Sequence, residues 1–273
     1  MEPSAVQVKM NKSYTILISL IVALGGFLLG FDSAVISGAV KGITIYFEMT
    51  EWMLGFSVGC VVFGAMAGNL MAGPVADKFG RKNTLIVVAA LFTVSATWSA
   101  LATGYTEFII ARIIGGVGIG GAILIAPIYI AEIAPPKLRG SLVSFNQLNI
   151  VIGISVAYFS NYFLINLGDE SWRWMLGAEC IPAALFFLLL FFIPRSPRWL
   201  MSQQNEAQAR ETLLKCGAED VDEEIRAIQN SLDLEHHSKD EPFFSMSYRF
   251  PILLAIAIAA FNQLSGINAV LYY

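Results

Sequence analysis

Charged side chains are scarce in this chain: they make up 14% of its 273 residues, against roughly a quarter in a soluble domain, while 56% are hydrophobic. The mean hydropathy of +0.64 excludes an ordinary water-soluble globule. Cysteine is nearly absent. Cys60 and Cys180 lie in apolar stretches and Cys216 in a polar one, so they offer no disulfide framework and read as reduced packing residues. Both histidines, His236 and His237, stand side by side near Asp240 and Glu241 without the spacing of a metal site, and read as a solvated loop. No nucleophile–base pair or ligand set shares one depth, so no enzyme, metal, cofactor or nucleic-acid partner is expected. The N-terminal run is not expected to be a secretory signal: it is about twice a signal-peptide core, and no small-x-small cleavage site closes it.

What is present is length without charge. A bilayer core needs about 20 apolar residues per helix. On that rule spans are expected near 14–40, 53–72, 84–103, 106–131, 141–165, 174–193 and 251–273. They are too long, and alternate too little, for barrel strands, which leaves helices. Lys and Arg in short loops set the orientation. Lys9 and Lys12 precede the first span, Lys78, Arg81 and Lys82 follow the second, and Lys137 and Arg139 follow the fourth. These ends, the N-terminus included, are expected in the cytoplasm, and Asn11-Lys12-Ser13 should therefore escape glycosylation. The domains expected are a six-helix bundle over 1–193, a cytoplasmic helical linker over 194–250 and a seventh span over 251–273. Within the linker, Asn205–Leu232 reads as one or two amphipathic helices broken near Gly217, with apolar Leu213, Leu214, Val221, Ile225 and Ile228.

Gly116-x-Gly118-x-x-Gly121 matches a dinucleotide fingerprint as a string, but it lies inside an apolar helix with no strand before it, so no helix terminus is available for a pyrophosphate. Glycines 116 and 120, and 115, 118 and 121, read instead as surfaces for close helix packing. Asp32 stands inside the first span, where an ionised Asp near the centre costs about 2.5–3.5 kcal/mol on insertion scales. Arg112 in the fourth span is the expected partner. Counting about 1.5 Å per residue puts Asp32 about 12 Å and Arg112 about 9 Å below the same edge. Pairing favours the ionised Asp32, and separation in a drier site favours the protonated form, so helix movement would load or release a proton. The alternative is a static pair that fixes packing. Glu179 in the sixth span is expected in the cytoplasmic half, as a second relay or a partner of the inner charges.

The ten residues from Gly73 to Lys82 pack Asp77, Lys78, Arg81 and Lys82 with two glycines between apolar stretches, and read as a gating loop. Their form, G-x-x-x-D-K-x-G-R-K, resembles the second connection of major facilitator transporters. The resemblance narrows to the sugar porter family, and within it to the bacterial xylose–proton symporters. It is carried by the Gly30–Gly38 run, Pro127–Pro135 with Arg139-Gly140, Ser144-Phe145-Asn146-Gln147, Ser196-Pro197-Arg198-Trp199-Leu200 and Gln263–Tyr273. It implies an all-α major facilitator fold of which this chain holds the N-terminal bundle, the intracellular helices and the first helix of the C-terminal half. The C-terminal half is expected to be missing from this fragment.

The resemblance further implies sugar contacts at Gln147, Asn262, Gln263 and Asn268, where amides can both donate to and accept from hydroxyls. Proton coupling is implied at Asp32, Arg112 and Glu179, since an acid at the Asp32 position implies symport over uniport. A cytoplasmic gate is implied at Asp77, Arg81, Glu132, Arg139 and Arg198. Two positions depart from the family pattern. Asn262 replaces a longer Gln, and Arg195 stands where relatives carry an acid that joins the gate, which implies a weaker closure or a different carboxylate. Counted from a start at residue 141, Gln147 falls in the inner third of its helix and meets the depth of Gln263 only if that helix is tilted or starts earlier. The expected activity is alternating-access transport of a monosaccharide (hexose, pentose or related polyol) with a proton, in the plasma membrane. The alternatives are a proton-independent facilitator, a sugar-sensing receptor on the same scaffold and a non-transporting half-protein.

Overall fold

The computed structural model describes residues 12–218, 220–238 and 249–265. Five long helices come first: α1 (Lys12–Tyr46), α2 (Glu51–Phe79), α3 (Arg81–Leu101), α4 (Tyr105–Ile133) and α5 (Pro136–Leu164). A sixth span, Ser171–Phe192, is broken into α6 (Ser171–Ala178) and α7 (Cys180–Leu189) with a final 3₁₀ turn. Pro182 explains the break: it has no N–H to give the Ala178 carbonyl, so the helix loosens at Glu179. Among the described residues these are six helices long and apolar enough to cross a membrane. The seventh expected span is represented by α11 (Arg249–Leu264), and residues 266–273 lie outside the described residues.

The stretch from Gly73 to Lys82 is not a loop. α2 runs through Pro74 to Phe79, and Gly80 alone separates it from α3. Hydropathy marks where lipid ends, not where the helix ends, so the charged last turn of α2 projects beyond the apolar zone while still helical. Gly80 adopts φ +90°, and the Trp199 ring lies 3.1 Å from where a Cβ would stand, so the turn needs glycine on two counts.

Backbone-to-backbone contact builds the bundle. Cβ atoms on Gly64 and Gly68 of α2 would meet the carbonyls of Ile113 and Val117 at 2.1 and 2.2 Å, and those on Gly116 and Gly120 of α4 would meet Val61 and Ala65 at 2.2 Å. On the adjacent face of α4, Gly115, Gly118 and Gly121 admit Ser95, Phe92 and Val88 of α3. The glycines thus pack helices as their spacing predicts. α1 and α5 repeat the device: Gly30 faces the Ile150 carbonyl and Gly153 faces that of Phe27. α4 and α1 are the inner helices, 67% and 56% buried, whereas α2 and α5 are each 22% buried. Each of the latter spends one narrow stripe on the bundle, Ser57–Cys60–Gly64–Gly68–Ala72–Ala76 on α2 and Leu142–Asn146–Gly153–Ala157–Asn161 on α5. Their remaining surface, with Phe56, Phe63, Leu70, Val151 and Phe159, is left for lipid or further protein.

Three short helices form a satellite at one end: α8 (Pro197–Ser202), α9 (Glu206–Lys215) and α10 (Val221–Ser238). They share a small core of Trp199, Leu200, Met201, Ala209, Leu213 and Ile225, with Val221 and Ile228 packed against it and Leu214 exposed. The break falls at Gly217, with φ +77°. His236 and His237 lie in the helical backbone of α10, not in a loop, because no Gly or Pro interrupts residues 221–238. The satellite is fastened to the bundle where Thr15 Oγ1 of α1 donates to the Cys216 carbonyl at 2.7 Å. All three cysteines are free.

Candidate functional site

The buried charges converge. Arg112 Nη1 of α4 donates to Asp32 Oδ1 of α1, and their side chains are 4% and 5% exposed. The equal depths read from the sequence are therefore real contacts. Glu179 is also buried, at 3% exposure, and stands within hydrogen-bonding reach of the Asp32 carboxyl and in the field of Arg112. Its expected place in the half nearer α8–α10 is wrong. The sixth span begins at Ser171, so Glu179 lies about 12 Å from the opposite end at 1.5 Å per residue, level with Asp32.

Two carboxyl groups that share a hydrogen bond need a proton on one of them. The charge count gives the same answer, because two carboxylates and one guanidinium sum to −1, and an unbalanced charge in a dry site is expensive. One proton would make the cluster neutral. Arg112 Nε is buried without a partner, and Cys60 of α2 lies close by, its thiol donating to the Ser57 carbonyl at 3.3 Å. Among the described residues no three His, Cys, Asp or Glu side chains converge as metal ligands.

Gln147 is exposed on α5, on the broad surface that the bundle leaves uncovered. α5 starts at Pro136 rather than 141, which moves Gln147 toward the middle of its helix. Its neighbour Asn146 turns inward against Gly26 of α1, and one turn along Ile150 abuts Gly30, two residues from Asp32. The seam between α1 and α5 therefore links the amide to the buried charges. Asn262 and Gln263 have helical backbone in α11, but their side chains, and all of Asn268, lie outside the described residues.

At the α8–α10 end, Arg81 pairs with Glu132 (Nε–Oε1, 3.1 Å) and with Asp77 (Nη1–Oδ1, 3.0 Å), and also donates to the Ala76 carbonyl at 3.2 Å. Ser196 Oγ donates to the other Glu132 oxygen, and Arg198 adds its positive field. Three of the five expected gate residues thus meet, with Arg198 close by. Arg139 does not join them: among the described residues its Nη2 reaches the Ala134 carbonyl, at 3.5 Å. Arg195 does not enter the pairs either, and lies over the Trp199 ring, 5.2 Å from its centre. The Arg81–Glu132 pair forms without a carboxylate at position 195, and Ser196 occupies the second Glu132 oxygen.

Several contacts that fasten the ends of the helices have no signal in the sequence. The Trp199 indole donates to the Asp77 carbonyl at 3.1 Å, across 122 positions. Lys82, in the first turn of α3, donates to the carbonyls of Phe191 and Ile193 at 2.8 and 2.7 Å, closing the end of the sixth span. Arg173, in the first turn of α6, does the same for α3, donating to Ala100 and Ala102 at 2.8 and 2.9 Å. Only spatial proximity reveals these pairs.

The chain matches the sugar (and other) transporter family over residues 18–273. A glucose transport protein of Synechocystis sp. is 41% identical, over 96% of this chain and 59% of its own length. The D-xylose-proton symporter of Escherichia coli K12 is 38% identical, over 96% of this chain and 60% of its own. Among solved structures, the partially occluded inward-open conformation of the xylose transporter XylE from E. coli superposes with a TM-score of 0.85 at 36% identity, covering 95% of this chain and 66% of that one. The chain thus spans about three fifths of the length of the curated relatives it matches.

Proposed function

The chain belongs to the sugar (and other) transporter family, and from that premise we propose that it supplies one bundle of a proton-coupled monosaccharide carrier that works by alternating access. The observation that carries this reading is the buried cluster of Asp32, Arg112 and Glu179, two carboxyl groups about one guanidinium. It lies directly behind the α1–α5 seam, whose far side presents Gln147. A second bundle, within the additional length of the relatives, would face the open surfaces of α2 and α5 and enclose the sugar. The α8–α10 end is the cytoplasmic one, in keeping with its Lys and Arg, and the plasma membrane is the site of action.

In this scheme sugar and proton enter together from outside. In the paired state Arg112 contacts Asp32, and a proton taken up by the cluster is shared between Asp32 and Glu179. Separation of α1 from α4 removes the guanidinium and lets Asp32 hold a proton in the drier setting. The Arg81–Glu132–Ser196 contacts close the cytoplasmic side and part to release the load.

The test is Asp32→Asn in the full-length carrier reconstituted in vesicles. Sugar exchange without a gradient is expected to continue, while accumulation driven by a proton gradient is lost. Unchanged accumulation would eliminate the coupling role and leave a facilitator.

A further inference from the structure

The turn between α2 and α3 and the end of the sixth span border a narrow recess lined by Phe79, Arg81, Lys82, Arg195 and Trp199. It is cationic. Among the described residues that line it there is no carboxylate, and Arg81 is already paired with Asp77 and Glu132. Lys82 spends two of its three N–H donors on the carbonyls of Phe191 and Ile193, and stands in the field of Arg195. Arg195 is exposed over the Trp199 ring, and among the described residues no hydrogen bond or ion pair takes up its five N–H donors. Lys78, four positions before Lys82, lies 5.3 Å from the centre of the Phe79 ring and is likewise exposed.

Neighbouring cations repel, and an anion set between them lowers that cost. The surroundings identify the anion. Phe79, Phe191 and Phe192 flank the recess and are 52%, 52% and 79% exposed. Because Lys82 holds the last carbonyls of the sixth span, its ammonium stands at the level where that span leaves the bilayer. A free anion gains nothing from exposed phenyl rings there. A phospholipid offers its phosphate to the cations and its acyl chains to the rings, as basic pockets between membrane helices exploit.

We propose that this recess is a headgroup site for an anionic phospholipid of the leaflet at the α8–α10 end, with Arg195 as the main phosphate ligand and Lys82 and Lys78 beside it. A guanidinium can meet two phosphate oxygens at once, which an ammonium cannot. The site depends on Arg at position 195, since the acid that the family pattern carries there repels phosphate. It needs the membrane-spanning bundle but neither sugar nor proton.

The test is lipid binding to the purified full-length carrier in detergent, read by native mass spectrometry as phosphatidylglycerol is titrated in. The protein is expected to hold phosphatidylglycerol more tightly than phosphatidylcholine, which has the same phosphate but no net charge. Arg195→Gln should weaken phosphatidylglycerol binding about fivefold, the share of one cation near an anionic surface, and Arg195→Glu should weaken it further. Arg195→Lys, which keeps the charge, should bind more tightly than Arg195→Gln. Arg226→Gln removes an exposed cation from α10 and should change nothing. All variants are compared at equal helix content by circular dichroism. Equal affinity in the wild type and Arg195→Gln overturns the site, as does an equal loss in Arg226→Gln, the mark of diffuse attraction to charge. Displacement of the lipid by an equal concentration of inorganic phosphate overturns the lipid assignment in favour of a soluble anion.

Discussion

Cys216 shows how much one residue at a junction can carry. It is 2% exposed, its carbonyl holds Thr15, and burial pushes its thiol from an ordinary 9.0 up to about 11. The fold therefore accommodates the neutral thiol. Its contribution to docking is complete below about pH 9 and is lost as pH rises toward 11. In membranes at pH 8, Cys216 should resist maleimide until detergent unfolds the chain, and prompt labelling would show that the α9–α10 hinge is not seated on α1. The sequence made some residues legible and hid others for physical reasons. Asp32 and Arg112 stand out because an ionisable group in an apolar run needs a partner. Glu179 is equally visible, and the expected span 174–193 already sets it five residues from the end opposite α8, so its place in the cytoplasmic half does not follow from the hydropathy. Ser196 and Trp199 act on Glu132 and Asp77, 64 and 122 positions away, and no local pattern encodes such contacts.

Among the elements, α4 is the most constrained. Glycines on one face put α2 in backbone contact with it and those on another admit side chains of α3, and a side chain at Gly116 would have to displace the Val61 carbonyl at 2.2 Å. Gly116→Leu should destabilise the bundle by about 3 kcal/mol or more, since overpacking between backbones leaves no rotamer to yield. Thermal unfolding in detergent should show a clear fall in midpoint, and an unchanged midpoint would mean that α2 and α4 are not held this closely. Here the sequence spoke plainly, because glycine at helical spacing in an apolar run has few other uses. Helix ends were harder to read: α2 outlasts its apolar stretch, α5 starts before its own, and α8 is too short to give a periodic signal.

At the scale of the whole molecule, two inner helices carry the charges and two outer helices carry the open surfaces. Gln147 stands on one of those surfaces, so the sugar contact proposed for it is tested in the assembled carrier. Gln147→Ala is expected to weaken sugar binding roughly tenfold, the loss of one or two hydrogen bonds to hydroxyls. Affinity measured by calorimetry on the purified carrier checks this, and an unaltered value would place the sugar away from α5. The molecule is also fastened at both membrane faces. Lys82 closes the sixth span at one face and Arg173 closes α3 at the other, each from the first turn of the opposite member of an antiparallel pair. The arrangement bears on biogenesis. A sixth span threaded the wrong way round would gather both cations at one face and both bare carbonyl ends at the other, and neither fastening would form. The two caps thus act as a check on insertion, satisfied only after every connection between them has crossed the bilayer in the right sense.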